Sequence, residues 1–141
     1  MKIIDIYKHV NEGYNPYLIG PKWQVAQLNY SIEEALESKI RLDIHHLTDE
    51  AFLLIEGDAV LIAARIIQEE ISYDIILMQP GIVHNIPKEV WHNIVLKHGA
   101  KVLIVEDANT HLPLPDGDYE FYYFSDAQKA EFRRRVEEVL N

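Results

Sequence analysis

The chain of 141 residues carries 23 acidic against 13 basic side chains, a formal net charge of -10, and no cysteine. This length predicts one domain with its own core. The absence of thiols excludes disulfides, thiolate metal ligands and a cysteine nucleophile. The negative charge disfavours binding to nucleic acid. No signal-peptide core or apolar run of membrane length is visible, so we expect a cytoplasmic protein without a membrane partner.

The first regular element is expected at 23–30, where large apolar and polar residues roughly alternate as in a half-buried strand. Before it, glycines, prolines and asparagines indicate turns. Ser31 and Glu34 have the spacing of a capping box. A loop or a single helical turn is therefore predicted over 31–38, before β-type sequence resumes at Lys39.

Between Lys39 and Lys101 short apolar runs alternate with turn signals such as Glu56-Gly57-Asp58 and Gln79-Pro80-Gly81. Strands at such close spacing predict a sandwich or barrel rather than a βαβ arrangement. The predicted strands are 39–42, 51–55, 59–67, 71–78, 82–86, 91–96 and 100–105.

The C-terminal part begins with a loop-like stretch at 106–119, followed by an aromatic segment, 119–124, that suits a last strand. Ser125 and Gln128 then form a capping box. The pattern that follows predicts a helix over about 126–140 beside a barrel core over about 22–106.

Two blocks in the middle of the chain carry most of its histidines. In the first, Glu50 and Gly57 have the spacing E-x6-G. His46 lies four residues before Glu50, where a second histidine of an HxH pair would fall. A spacing one residue longer places His45 there instead, with Asp43 in the position of the first histidine.

In the second block, Gly81 and Pro87 have the spacing G-x5-P, and His92 follows at the position of a motif histidine. Together the two blocks resemble the two motifs of the cupin family. Glu89 stands where that family has a glycine, so we expect the turn after Pro87 to avoid positive φ. Leu96 replaces the closing asparagine.

The resemblance implies an all-β fold, the cupin double-stranded β-helix or jelly-roll barrel, here with a C-terminal α-helix. It also implies a homodimer paired through edge strands, and a divalent ion (Zn, Fe, Mn or Ni) as cofactor. Three protein ligands with open positions are typical of a catalytic site. The predicted metal ligands are His46, Glu50 and His92, with Asp43, His45 and His84 as auxiliary candidates.

Two functions stay open at this point. The first is a metal-dependent isomerase, dioxygenase or lyase that acts on a small molecule. The second is a non-catalytic cupin that has a degenerate metal site and binds a small polar metabolite or sugar. A third hypothesis, with less support, is a purely structural dimeric protein. His84 shares a strand face with Ile86 and is better explained as a core histidine. His9, His98 and His111 are expected at the surface.

Overall fold

A computed structural model describes all residues, 1–141, as ten β-strands, two short 3-10 turns and one α-helix. The strands are β1 (Gly13–Ile19), β2 (Trp23–Asn29), β3 (Arg41–His45), β4 (Glu50–Glu56), β5 (Ala59–Ile67), β6 (Glu70–Leu77), β7 (Val83–Ile86), β8 (Trp91–Leu96), β9 (Lys101–Asp107) and β10 (Tyr119–Tyr123). The 3-10 turns are Ile32–Glu34 and Leu36–Ser38, and the helix α1 is Asp126–Leu140.

The strands form two antiparallel five-stranded sheets. The first has the order β1-β2-β9-β4-β7 and the second the order β10-β3-β8-β5-β6. Strands distant in sequence are neighbours in each sheet, as in a jelly roll. The predicted all-β jelly-roll fold is confirmed.

The core lies between the sheets and gives way to polar residues at one end of the barrel. On β9, Val102 and Ile104 are buried and the next inward position is Glu106. On β4, Leu54 and Phe52 are buried, and the inward position at the start of the strand is Glu50. Because side chains alternate along a strand, both carboxylates continue the inward face, and they stand opposite each other in register.

The helix covers the outer face of the second sheet. The side chain of Ser125 accepts a hydrogen bond from the Gln128 backbone N–H, which completes the predicted capping box. Phe132 and Val136 are fully buried and pack with a second apolar cluster that includes Leu42. No helix in the chain is both long enough and apolar enough to cross a membrane.

Two local predictions were wrong. Ser31 makes no side-chain cap in front of the first 3-10 turn; Glu34 instead pairs with Lys39 at 2.8 Å. Residues 13–21 were predicted to form turns, but they contain a strand, β1. The strand accommodates Pro16 because its register with β2 shifts between Asn15 and Leu18, and a bulge at a sheet edge tolerates a residue without an N–H.

The motif glycine Gly57 has a clear structural reason. Its φ is +85°, and a Cβ at this position would lie 2.6 Å from the backbone Cα of Ala100. Glycine is the residue that tolerates both conditions. The turn after β4 can therefore approach the start of β9 closely.

Candidate metal centre

Three buried side chains from three strands converge at the polar end of the barrel. Nε2 of His92 lies 2.9 Å from Oε2 of Glu50, and Nε2 of His45 lies 3.4 Å from the same oxygen. One ligand atom from each of the three residues lies within 4.8 Å of the others. Two imidazole nitrogens and a carboxylate oxygen suit a divalent transition-metal ion, so this cluster could hold one.

Contacts behind the cluster orient both imidazole rings. Nδ1 of His92 lies 3.0 Å from the carbonyl oxygen of Val90, and Nδ1 of His45 lies 2.8 Å from Oδ1 of Asp118. Asp118 is itself fixed, because its second oxygen accepts a hydrogen bond from the Leu47 backbone N–H. A neutral imidazole whose Nδ1 donates its proton backwards has its lone pair on Nε2, the atom that would bind a metal ion. In the metal-free protein, His92 keeps a second proton, which lies between its Nε2 and Glu50.

The structure does not bring His46 to the cluster. Its side chain is about one-third exposed (34%) and points away, with Nδ1 2.9 Å from Glu89 and Nε2 against Glu120. Neighbouring residues of an extended chain point to opposite sides, so only one of His45 and His46 can face the barrel interior. The longer motif spacing is the one that matches the structure.

The expectation for the turn after Pro87 was wrong. Glu89 adopts a positive φ of 67°, the conformation that the family's glycine would supply. Two interactions hold this residue in place: its backbone N–H donates to the carbonyl oxygen of His45 at 2.8 Å, and its carboxylate contacts His46. His46 thus contributes to the turn that precedes His92.

The two other auxiliary candidates lie outside the three-residue cluster. Asp43 is buried opposite His92, but its two oxygens accept hydrogen bonds from Arg41 at 3.0 Å and from the Tyr119 hydroxyl at 2.8 Å. His84 is half-buried on β7, opposite Phe52, further from the polar end of the barrel. Its Nδ1 is buried without a hydrogen-bond partner.

A second polar group, which the sequence analysis missed, lies beside the cluster. Glu106 Oε1 accepts hydrogen bonds from the Tyr14 hydroxyl at 3.2 Å and from Gln24 Nε2 at 2.9 Å. The same Gln24 nitrogen lies 3.0 Å from Nδ1 of His111. Oε2 of Glu106 is buried and has no partner. His111 lines the interior cavity and so is not the simple surface residue that was expected.

These residues line a cavity of about 490 Å³ that opens at the polar end of the barrel. Its wall combines the three-residue cluster, the polar group around Glu106, and two further polar residues, Arg41 and Asn93. The Arg41 guanidinium lies 3.8 Å above the ring of Phe121, a cation–π arrangement that orients it. The volume is in the range typical of small-molecule sites.

Burial and charge divide the acidic groups of the cavity into two kinds. Burial alone would raise the pKa of Glu50 and lower that of His92, but the attraction between the two side chains outweighs it. The pKa of Glu50 is therefore lowered and that of His92 is raised to about 9. For Glu106, burial and then the negative charge of Glu50 raise the pKa to about 9. At neutral pH, therefore, Glu50 and His92 are both ionised, whereas Glu106 carries a proton.

The stability of the metal-free protein is expected to fall between about pH 6.5 and pH 9. Folding raises the pKa of His92 from 6.5 to about 9, so the folded chain keeps a proton that the unfolded chain releases in this window. The stabilisation is complete below pH 6.5 and is lost as the pH rises through 9. Glu106, whose pKa is also raised, contributes in the same direction.

Urea unfolding of metal-free protein across this pH range measures the effect. The variant His92→Gln should show a shallower decline, since only the Glu106 contribution remains. A free energy of unfolding that rises with pH over the same window would contradict the prediction.

The cluster passes a simple chemical test for a metal ion. Glu50 Oε2 is buried yet accepts no well-directed hydrogen bond, although two imidazole nitrogens lie within 3.4 Å of it. A buried carboxylate oxygen without such a partner is costly, and a cation between the three donor atoms would satisfy it. The residues present therefore fit a divalent ion.

Comparisons with known proteins agree with the fold. No protein-family profile matches the chain, and no curated protein is similar to it. Among solved structures, a cupin-2 domain protein from Shewanella frigidimarina is 27% identical with a TM-score of 0.50, over 70% of this chain and 84% of that one. Streptomyces PAC13, solved with uridine, is 11% identical with a TM-score of 0.56, over 91% and 98% of the chains.

The capsular polysaccharide assembling protein CapF from Staphylococcus aureus is 19% identical with a TM-score of 0.52, over 86% of this chain but 34% of CapF. Taken together, the fold and the site define a jelly-roll protein with a buried histidine–glutamate cluster that could hold a metal. The predicted resemblance to the cupin family is confirmed, because the chain is similar in structure to a solved cupin-2 domain protein.

Proposed function

We propose that this cupin binds one divalent metal ion through His45, Glu50 and His92, and a small hydroxyl-bearing molecule in the cavity beside it. The observation that carries the proposal is the convergence of three buried donor atoms within 4.8 Å. The contacts of Val90 and Asp118 with the two imidazoles support it, because such contacts are typical of ligating histidines. This set differs from the predicted one, in which His46 stood in the place of His45.

The cavity wall supports a polar and largely uncharged ligand. Glu106 presents an unpartnered oxygen. The Gln24 amide N–H donates to Nδ1 of His111. In the neutral ring of His111 the proton therefore lies on Nε2. The pKa of His111 is lowered by burial and by His45, which keeps the ring neutral. The protonated Oε2 of Glu106 and the Nε2–H of His111 are both donors, and a hydroxyl oxygen can accept two hydrogen bonds, so it matches this pair. A sugar-like molecule or other polyol therefore fits.

A bound metal would act as a Lewis acid towards a ligand oxygen. The chain itself supplies a proton donor for a reaction, because Glu106 holds a proton beside the cluster. These features suit an isomerase, a dioxygenase or a lyase. They also make the proton on Glu106 available to a bound ligand.

The second candidate function is a binding module that works without a metal. It is favoured by the direct contact between His92 and Glu50 at 2.9 Å, which already neutralises both charges. In that case the same cavity would bind the polar ligand through its hydrogen-bonding groups. Metal content separates the two candidates.

The deciding experiment compares two adjacent histidines. Protein purified without a nickel column is incubated with Mn, Fe, Zn or Ni in turn, and bound metal is measured by elemental analysis. About one ion per chain is expected in the wild type and in His46→Ala, and none in His45→Ala, because only His45 faces Glu50. Circular dichroism should show that both variants are folded.

Each outcome has a definite meaning. Loss of metal in His46→Ala with retention in His45→Ala would overturn the assignment of the ligands. A wild-type protein that retains none of the four metals would overturn the metal site and leave the metal-free binding module.

A further inference from the structure

The interior face of β3 carries a row of polar side chains that begins with an arginine. Arg41, Asp43 and His45 occupy alternate positions of the strand, and all three line the cavity. Side chains two residues apart share one face of a strand. Arg41 therefore lies on the same wall of the cavity as the proposed metal ligand His45, roughly 13 Å from it along the backbone.

Several contacts hold Arg41 in this position. Its Nε donates to Oδ1 of Asp43 at 3.0 Å, and the other oxygen of Asp43 accepts a hydrogen bond from the Tyr119 hydroxyl at 2.8 Å. The guanidinium carbon lies 3.8 Å from the centre of the Phe121 ring. The Asn93 amide donates to the backbone carbonyl oxygen of Arg41 at 2.7 Å. The side chain is thereby oriented before a ligand binds, which reduces the entropy lost on binding.

The two terminal nitrogens of the Arg41 guanidinium have no hydrogen-bond partner in the protein. The hydroxyls of Tyr119 and Tyr123 lie near the guanidinium, but neither makes a well-directed hydrogen bond with it. The Arg41 side chain is 34% exposed, so these nitrogens can be reached by a ligand. A guanidinium presents its donors as a planar fork, which matches two oxygens of a carboxylate or a phosphate.

The lysine of the cavity wall, in contrast, is already paired. Nζ of Lys39 lies 2.8 Å from Oε2 of Glu34, and the Lys39 side chain is only 8% exposed. Of the lysine and arginine side chains that line the cavity, Arg41 is thus the one whose nitrogens remain available. Asp43 does not compete for them, since both of its oxygens already accept hydrogen bonds.

We infer that Arg41 anchors an oxyanion of the cavity ligand, and that the ligand is a hydroxylated carboxylate or phosphate, such as a sugar acid or a sugar phosphate. The oxyanion binds the free nitrogens of Arg41, and the hydroxyl groups extend towards Glu106 and the three-residue cluster. The inference rests on the proposed function for the hydroxyl-bearing part of the ligand, whereas the contact of the oxyanion with Arg41 does not require the metal.

Nuclear magnetic resonance of the arginine Nε–H groups tests the anchor directly. The protein is labelled with nitrogen-15, kept free of metal, and titrated with inorganic phosphate or with acetate. We expect the assigned signal of Arg41 to shift and to saturate. Arg65, an exposed arginine of β5, is the internal control, and its signal should stay in place because an exposed guanidinium without a binding site holds these anions too weakly.

Isothermal titration calorimetry on zinc-treated protein then compares glucose 6-phosphate, gluconate and glucose. Arg41→Gln should weaken the binding of the two anionic probes at least about tenfold, the usual effect of losing hydrogen bonds to a charged group, and should leave the binding of glucose nearly unchanged. Lys39→Gln removes the paired cation of the same wall and should bind all three probes as the wild type does. The tighter of the two anionic probes identifies the oxyanion as a carboxylate or a phosphate.

Failure of this inference can be told apart from failure of the proposed function. An Arg41 signal that responds to neither phosphate nor acetate, or anionic probes that bind Arg41→Gln as tightly as the wild type, would overturn the anchor even if the protein binds metal. A saturable shift of the Arg41 signal in a protein that retains no metal would overturn the metal site and support the anchor. Circular dichroism checks that both variants are folded, and the titration of the wild type decides the outcome without them.

Discussion

Replacing Glu50 by glutamine is expected to weaken metal binding by at least about 100-fold, because loss of a ligand should exceed the 10- to 100-fold effect of changing its supporting contacts. Glu50 supplies the only ionised carboxylate in the three-residue cluster, and its oxygen contacts both imidazoles. Glutamine keeps the shape of the side chain but removes the negative charge. Competition with a chelator of known affinity measures the change.

Glu106→Gln is the matched control, since Glu106 lies opposite Glu50 on the neighbouring strand and is equally buried. Its pKa is raised to about 9, so it is uncharged at neutral pH and its replacement by an amide should leave metal binding within a few-fold of the wild type. Equal losses in both variants would contradict the assignment of one carboxylate to the metal and the other to the cavity wall.

Replacing Phe132 by alanine is expected to lower the free energy of unfolding by about 3–5 kcal/mol, the cost usual for a fully buried phenylalanine. Its ring is completely buried and packs against Phe124 and Tyr73, with ring centroids 5.0 and 5.9 Å away. Urea unfolding followed by tryptophan fluorescence measures the loss.

The control for this prediction is Tyr123→Ala, which removes an aromatic ring that is 58% exposed and should cost under about 1 kcal/mol. If Phe132→Ala lowered the free energy of unfolding as little as this control, the packing of the helix would contribute little to the stability of the fold. A loss of the expected size means that the helix and the second sheet unfold together.

The strand pattern could be predicted from the sequence because most strands have one face towards the core. β3 is different: Leu42, Asp43, Ile44 and His45 are all buried. The barrel interior lies on one side of this strand. On its other side, Leu42 packs in the apolar cluster beneath the helix. Without alternation between apolar and polar residues, nothing local decides whether His45 or His46 faces inward.

The residues around the three-residue cluster could not be predicted from the sequence, and the reason is a different one. Asp118 contacts a histidine 73 positions away from within a stretch with the composition of an ordinary loop, so only the folded chain reveals its role. Glu106 did carry a signal, since it continues the period-two series of Val102 and Ile104. An acid in an inward position at the end of a strand is the pattern that could have identified it.

The contact between Asp118 and His45 has a consequence for the chain between β9 and β10. This connecting segment supplies the carboxylate that holds the imidazole, so its conformation and the occupancy of the site are thermodynamically linked. If an ion binds as proposed, whatever displaces the segment would weaken the binding of the ion, and the ion would hold the segment in place by the same factor. The segment is thereby a place where an event at the protein surface can be transmitted to the three-residue cluster at the end of the barrel.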